Sequence, residues 1–111
     1  MSFVKAILLH GTDGSSQSNW LPWLSDQLRQ LGWDVWSPDL PNADHPDIAR
    51  YNEFLLSNLP WQLDDETVLV GHSSGALAAL GLLQDLPQYV RVRLCVLVGV
   101  FKDDLGWDVL G

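Results

Sequence analysis

A single cysteine, Cys95, stands among the 111 residues. No internal disulfide and no thiolate metal cluster can form, and the three histidines lack the paired spacing of a zinc site. Neither a metal nor a cofactor is expected. Basic residues are also scarce: 6 Lys and Arg face 14 Asp and Glu, for a net charge of −8. Nucleic-acid recognition needs the opposite balance, so that class of partner is excluded. An acidic surface instead favours solubility and repels anions. No uninterrupted apolar run approaches the ~18 residues of a membrane span. The opening Met-Ser-Phe-Val-Lys-Ala has neither the basic region nor the cleavage site of a signal peptide. The chain is therefore read as cytoplasmic, with no membrane partner. Linkers, repeats and low-complexity segments are missing too, so residues 1–111 belong to one domain.

What is present is enough apolar sequence to build a core. Hydrophobic residues make up 47% and charged residues 18%, too apolar a balance for a disordered chain. Strand and helix signals alternate. Val4 to Leu9 is a short apolar run followed by a loop rich in Gly, Ser and Asp, residues 10–16. Leu21, Leu24, Leu28 and Leu31 then recur at helical spacing, with Ser18 or Asn19 as cap, Pro22 in the first turn and Gly32 at the end. Trp33 to Ser37 alternates like a strand. Asp47 opens a second helix with Ile48, Tyr51, Leu55 and Leu59 on one face, and Pro60 closes it. Thr67 to Val70 is a compact strand. Ser74 to Gln84 is apolar nearly all round, as a buried helix is. Leu94 to Val98 is a fourth strand, apolar on both faces.

Such alternation implies an α/β fold: a doubly wound parallel sheet in three α/β/α layers with strand order 2-1-3-4. The first helix then covers one face and the other two the opposite face. The winding reverses between the first and third strands, so the crevice lies at their C-terminal ends. The loops there are residues 10–14 and 71–75, the two most unusual loops in the chain.

Gly71-His72-Ser73-Ser74-Gly75 fits the G-x-S-x-G nucleophile elbow, with a strand before it and a helix after. The sharp turn strains the serine backbone, and glycine two positions before and after removes the β-carbons that would collide. The Ser73 hydroxyl then stands above a helix N-terminus, where the Ser74 N–H and the helix dipole can stabilise an oxyanion. His10-Gly11, after the first strand, opens a loop from which the Thr12 N–H can supply a second donor, with Gly11 and Gly14 allowing close approach. The five-residue pattern also occurs in ordinary Gly/Ser turns, and loop 10–14 also reads as a helix-capping loop. The flanking elements and the co-occurrence of both loops favour the elbow.

The segments HGTDGSSQSNWLPWL, SPDLPN, GHSSGALAAL and VGVFKDDLG resemble the small serine hydrolases related to retinoblastoma-binding protein 9, a compact branch of the α/β-hydrolase fold. The likeness runs from Ala6 to Gly106. It implies a serine hydrolase of esterase or peptidase type acting on a small ester or amide, with Ser73 as nucleophile and Thr12 and Ser74 as backbone oxyanion donors. His10, Gly11, Gly71, His72 and Gly75 shape the site. In this fold the triad runs in the order Ser, then Asp or Glu, then His. No histidine follows His72 in this chain. A serine without an adjacent base is a weak nucleophile, so the chain reads as the N-terminal portion of a hydrolase domain, inactive or incomplete as it stands.

The remaining candidates have plain roles. His72 fills the elbow, His10 orders the oxyanion loop more readily than it acts as base, and His45 sits in a solvated loop. Asp39 ends the second strand, but Gly11-Thr12-Asp13-Gly14 is not a dinucleotide fingerprint. Asp103 and Asp104 follow the fourth strand as loop charges. Among six tryptophans, Trp20 and Trp23 are expected to pack on the sheet, with Trp20 close enough to the crevice to shape an acyl pocket. Two classes of function stay open: the nucleophile-bearing part of a serine hydrolase, or a non-catalytic α/β binding module. The uncharged strand 94–98 is expected at the sheet margin, where it invites self-association.

Overall fold

The computed structural model describes residues 4–86 and 91–98. The elements are β1 (Lys5–Leu9), α1 (Leu21–Gln30), β2 (Asp34–Trp36), α2 (Ile48–Asn58), β3 (Thr67–His72), α3 (Ser74–Asp85) and β4 (Leu94–Val98). All neighbouring strands are parallel, in the order β2-β1-β3-β4. This is the expected sheet. β2 is shorter than the alternating stretch 33–37, and β3 runs two residues further than Thr67–Val70, through Gly71 to His72. The ladder holds Leu9 opposite Gly71 and His72 opposite Val98, which carries β3 straight into the elbow.

Strand alternation divides the core in two. Ala6, Leu8, Val68 and Val70 face α1 and pack with Leu21, Leu24 and Leu28. Ile7, Leu9 and Leu69 face the other way, onto Tyr51 and Leu55 of α2 and Ala78, Ala79 and Leu82 of α3. Each fully buried large aliphatic side chain contributes about 1.5–3 kcal/mol, which is why two continuous apolar strands occupy the sheet centre. The Ala- and Gly-rich α3 lies close against its neighbours. A β-carbon at Gly81 would come 2.6 Å from Ile48 Cγ2, and Asn52 of α2 donates to Gly81 O at 3.1 Å.

Helix ends follow local chemistry in part. Asp47 caps α2 by accepting from Arg50 N at 3.0 Å. Gly32, just past α1, has φ +88°, the left-handed conformation that favours glycine there. Neither Ser18 nor Asn19 caps α1: the N-cap is Trp20, with no side-chain cap bond. The Ser18 hydroxyl accepts from Ser15 N instead, at 2.8 Å, and the Ser18 carbonyl accepts from Leu21 N. Two apolar assignments also change. Leu31 ends outside the helix and is exposed, and Trp23 is 64% exposed, while Trp20 packs with the α1-side core. Trp23 lies on α1 away from the Leu21, Leu24 and Leu28 face, whereas Trp20 precedes the helix and reaches the core. Trp33 and Trp36 pack on opposite faces, as strand alternation requires. Trp107, Asp103 and Asp104 lie outside the described residues.

Candidate active site

The C-terminal ends of β1 and β3 bring the two unusual loops together. Ser73 is the N-cap of α3 with φ 58° and ψ −121°, a backbone that an L-residue holds only when its surroundings enforce it. The surroundings are explicit. A β-carbon at Gly71 would lie 2.5 Å from Gly75 O and 2.6 Å from Ala76 Cα, and one at Gly75 would strike the Leu9 and His10 carbonyl oxygens. The turn closes through Ala76 N donating to Ser73 O at 2.9 Å, and Ser73 N donates to Val98 O at 3.0 Å. Both glycines are thus demanded by backbone contact, and the serine between them is forced into its strained conformation.

Loop 10–14 approaches from β1. A β-carbon on Gly11 would sit 3.1 Å from Ser73 Cβ and 3.2 Å from His72 O, so the loop lies against the serine. The Thr12 hydroxyl donates to Ser74 Oγ at 3.0 Å, tying the loop to the first residue of α3. Asp13 N donates to Ala43 O and Gly14 N to Gly11 O, at 2.8 and 3.0 Å. Among the described residues, the Thr12 and Ser74 backbone N–H groups have no backbone acceptor. Ser74 N lacks one because the first turn of a helix has no carbonyl to receive its amides. Two unspent donors beside one serine can hold an oxyanion.

His10 is 1% exposed and uses both ring nitrogens. Leu40 N donates to Nε2 at 2.8 Å, which leaves the ring proton on Nδ1, 2.9 Å from Gly11 O. The ring therefore bolts loop 10–14 to the segment after β2. Asp39 adds a second bolt by accepting from Ser16 N at 2.7 Å, and that bond holds its carboxyl below the ordinary carboxylate value. His72 is half-buried, its ring meeting Trp20 edge-on with centroids 5.4 Å apart. His45 is exposed, 3.1 Å from Asp44. Among the described residues, no histidine ring bonds to Ser73, and no cluster of three His, Cys, Asp or Glu could hold a metal ion.

The hydroxyl bridge from Thr12 to Ser74 and the bond from Leu40 to His10 were not foreseen from sequence. The only sequence signals for them are a threonine in the loop and a serine after the elbow, neither distinctive alone. Below the site, an apolar groove of about 420 Å³ runs between α1 and strands β3 and β4, from Trp20 and Val98 at the elbow end towards Trp33. No described helix is long and apolar enough to cross a membrane.

Comparison with known proteins agrees with this fold. Residues 6–110 match the alpha/beta hydrolase family. The putative hydrolase YdeN of Bacillus subtilis (strain 168) is 32% identical over 100 residues, covering 88% of this chain and 51% of the relative. The serine hydrolase RBBP9 of Rattus norvegicus is 28% identical over 105 residues, covering 92% of this chain and 53% of the relative. The crystal structure of the ydeN gene product from B. subtilis superposes with a TM-score of 0.71 at 30% identity, over 87% of this chain and 52% of that one. The chain thus spans about half the length of the curated relatives it matches.

Proposed function

The chain belongs to the alpha/beta hydrolase family, and from that premise we propose that it carries the nucleophile and oxyanion parts of a serine acyl hydrolase, with no general base of its own. The observation that carries this reading is the strained Ser73, held at φ 58° between two glycines that have no room for a β-carbon. In the proposed reaction Ser73 Oγ attacks the carbonyl carbon of a small ester or amide. Negative charge develops on the carbonyl oxygen, and the Thr12 and Ser74 N–H groups stabilise it. The leaving alcohol or amine departs with a proton, and water then releases the acyl group.

The serine proton needs an acceptor for this to run. His10 has both ring nitrogens engaged, and His72 packs on Trp20. Losing the base costs about a millionfold in subtilisin, which serves as the scale here. The 111 residues alone are therefore nearly inert. That engagement of His10 also favours a second reading, a non-catalytic α/β module that binds a ligand at the crevice.

A fluorophosphonate probe tests both. Under prolonged exposure the slow label is expected on Ser73, absent from Ser73→Ala and still present in Ser74→Ala, which keeps its backbone N–H. No label at Ser73 at any exposure would favour the binding module. Rapid stoichiometric labelling would show that a base is already present and would sink the claim of inertness.

A further inference from the structure

The loop that carries the Thr12 N–H is held from two sides. On its inner side the Thr12 hydroxyl donates to Ser74 Oγ at 3.0 Å. On its outer side Asp13 N donates to Ala43 O at 2.8 Å. Asp13 N belongs to the planar peptide that follows Thr12, so this bond fixes that plane and, through it, the Thr12 backbone. The residues beside the bond are both left-handed: Asp13 has φ 60° and Asn42, just before Ala43, has φ 51°. Asp and Asn tolerate that conformation, but it persists where the surroundings enforce it.

On the Ala43 side the enforcing group is an arginine. Residues 37–47 join β2 to α2 without a helix or strand of their own. Asn42 and His45 close a turn there, His45 N donating to Asn42 O at 2.9 Å. Arg50, in the first turn of α2, donates from Nη2 to both carbonyls, to Asn42 O at 3.4 Å and to His45 O. Ala43 lies between the two. Among the described residues, no other side chain bonds to the backbone of residues 42–46. The Asp47 carboxylate is 4.0 Å from the guanidinium, so the nearer contacts go to backbone and not to an acid. A cation in the first turn of a helix opposes the helix dipole, and charge-assisted bonds to two carbonyls offset that cost.

We propose that Arg50 is a positioning residue for the oxyanion site: it clamps turn 42–45, whose Ala43 carbonyl holds Asp13 and so aims the Thr12 N–H. The inference rests on the function proposed above, and Arg50 itself touches no substrate. Loops open locally far more readily than the core. A loop that must present one N–H in a fixed direction therefore needs a tie on each side, and Arg50 anchors the outer one to α2.

Two readouts on the full chain test this. Amide exchange at Asp13, followed by NMR, reads the clamp without any chemistry. The rate at which a fluorophosphonate labels Ser73 reads the oxyanion site, which the phosphoryl oxygen must enter. Arg50→Met keeps the apolar stem and removes the donors. It should speed exchange at Asp13 roughly fivefold or more while Leu69 in the core stays unchanged. Labelling should slow by at least about fivefold, less than the roughly 10²–10³-fold cost of losing a donor outright. Arg50→Lys, which can still donate to a carbonyl, should fall between Met and the parent. Asp47→Asn keeps a capping oxygen and removes the ion pair, and should match the parent in both readouts. Unchanged exchange at Asp13 in Arg50→Met would overturn the proposal, as would labelling at the parent rate despite faster exchange. So would an Asp47→Asn variant with the same defect, since the ion pair would then be the cause. A parent chain that takes no label would instead overturn the function on which this rests, with exchange at Asp13 still deciding whether the clamp exists.

Discussion

The Thr12 hydroxyl donates to the Ser74 hydroxyl at 3.0 Å, joining residues 62 positions apart in the chain. These are the two residues whose backbone N–H groups are proposed to face an oxyanion. The bridge fixes their separation without using either N–H. Thr12→Val keeps the shape and removes the donor, so it should lower stability by about 1 kcal/mol. Thr12→Ser should restore most of it. Equal urea midpoints for Thr12→Val and the parent chain would show that the bridge holds nothing.

A β-carbon at Gly75 has nowhere to go, since the backbone carbonyls of Leu9 and His10 already occupy its place. Backbone yields less than a side chain does, so Gly75→Ala should destabilise by about 3 kcal/mol or more, at the upper end of overpacking costs. At Gly32 the space is open and only the positive φ opposes a side chain. Gly32→Ala should therefore cost about 1 kcal/mol. Urea denaturation of the two variants side by side measures the difference, and a reversed order would contradict the packing account.

His10 acts on the loop through its ring nitrogens. Removing the ring in His10→Ala leaves the buried Leu40 N–H without its acceptor and should cost about 1–3 kcal/mol. His45→Ala, at an exposed site, should stay within about 0.5 kcal/mol. His10→Ala should not reduce the slow labelling of Ser73 through loss of a base. A loss of labelling shared by His10→Gln, which keeps an acceptor for the Leu40 N–H, would make His10 the base after all.

Asp64 predicts an acid response. Lys5 Nζ lies 2.7 Å from its carboxylate and Glu66 N donates to it as well, and these bonds, the Lys5 one foremost, hold its pKa below the ordinary 3.8. A carboxyl whose folded pKa is depressed stabilises the fold above its unfolded value and loses that contribution as pH falls towards the folded one. Asp39 behaves alike through its bond from Ser16 N. Stability should thus be level above about pH 5 and fall below about pH 4. Asp64→Asn should flatten part of that fall. An unchanged acid limb in Asp64→Asn would remove this pair from the explanation.

Much of the fold could be read without coordinates because its signals are local. Continuous apolar runs such as Ala6–Leu9 and Val68–Val70 suit a strand covered on both faces, and Ile48, Tyr51 and Leu55 share one face of α2 at steps of three or four residues. The elbow was legible from its glycine spacing between a strand and a helix, although only Gly71 answers a contact within the turn and Gly75 answers the β1 backbone. Trp20 and Trp23 part because Trp20 precedes α1 while Trp23 lies on the helix away from the face of Leu21, Leu24 and Leu28, a phase that the sequence also carries. Ser18 and Asn19 look alike as caps, and the loop's own hydrogen bonds decided against both.

The amino-acid order by itself determined the alternation of strands and helices, the parallel sheet, the place of the crevice and the serine at its mouth. These depend on periodicity and on glycine spacing, which act over a few residues. Only the tertiary structure decided that His10 is spent on Leu40, thirty residues away, and that Thr12 reaches Ser74. Each of these turns on which groups the packing of distant segments brings within hydrogen-bond or van der Waals reach, and no local pattern encodes that distance.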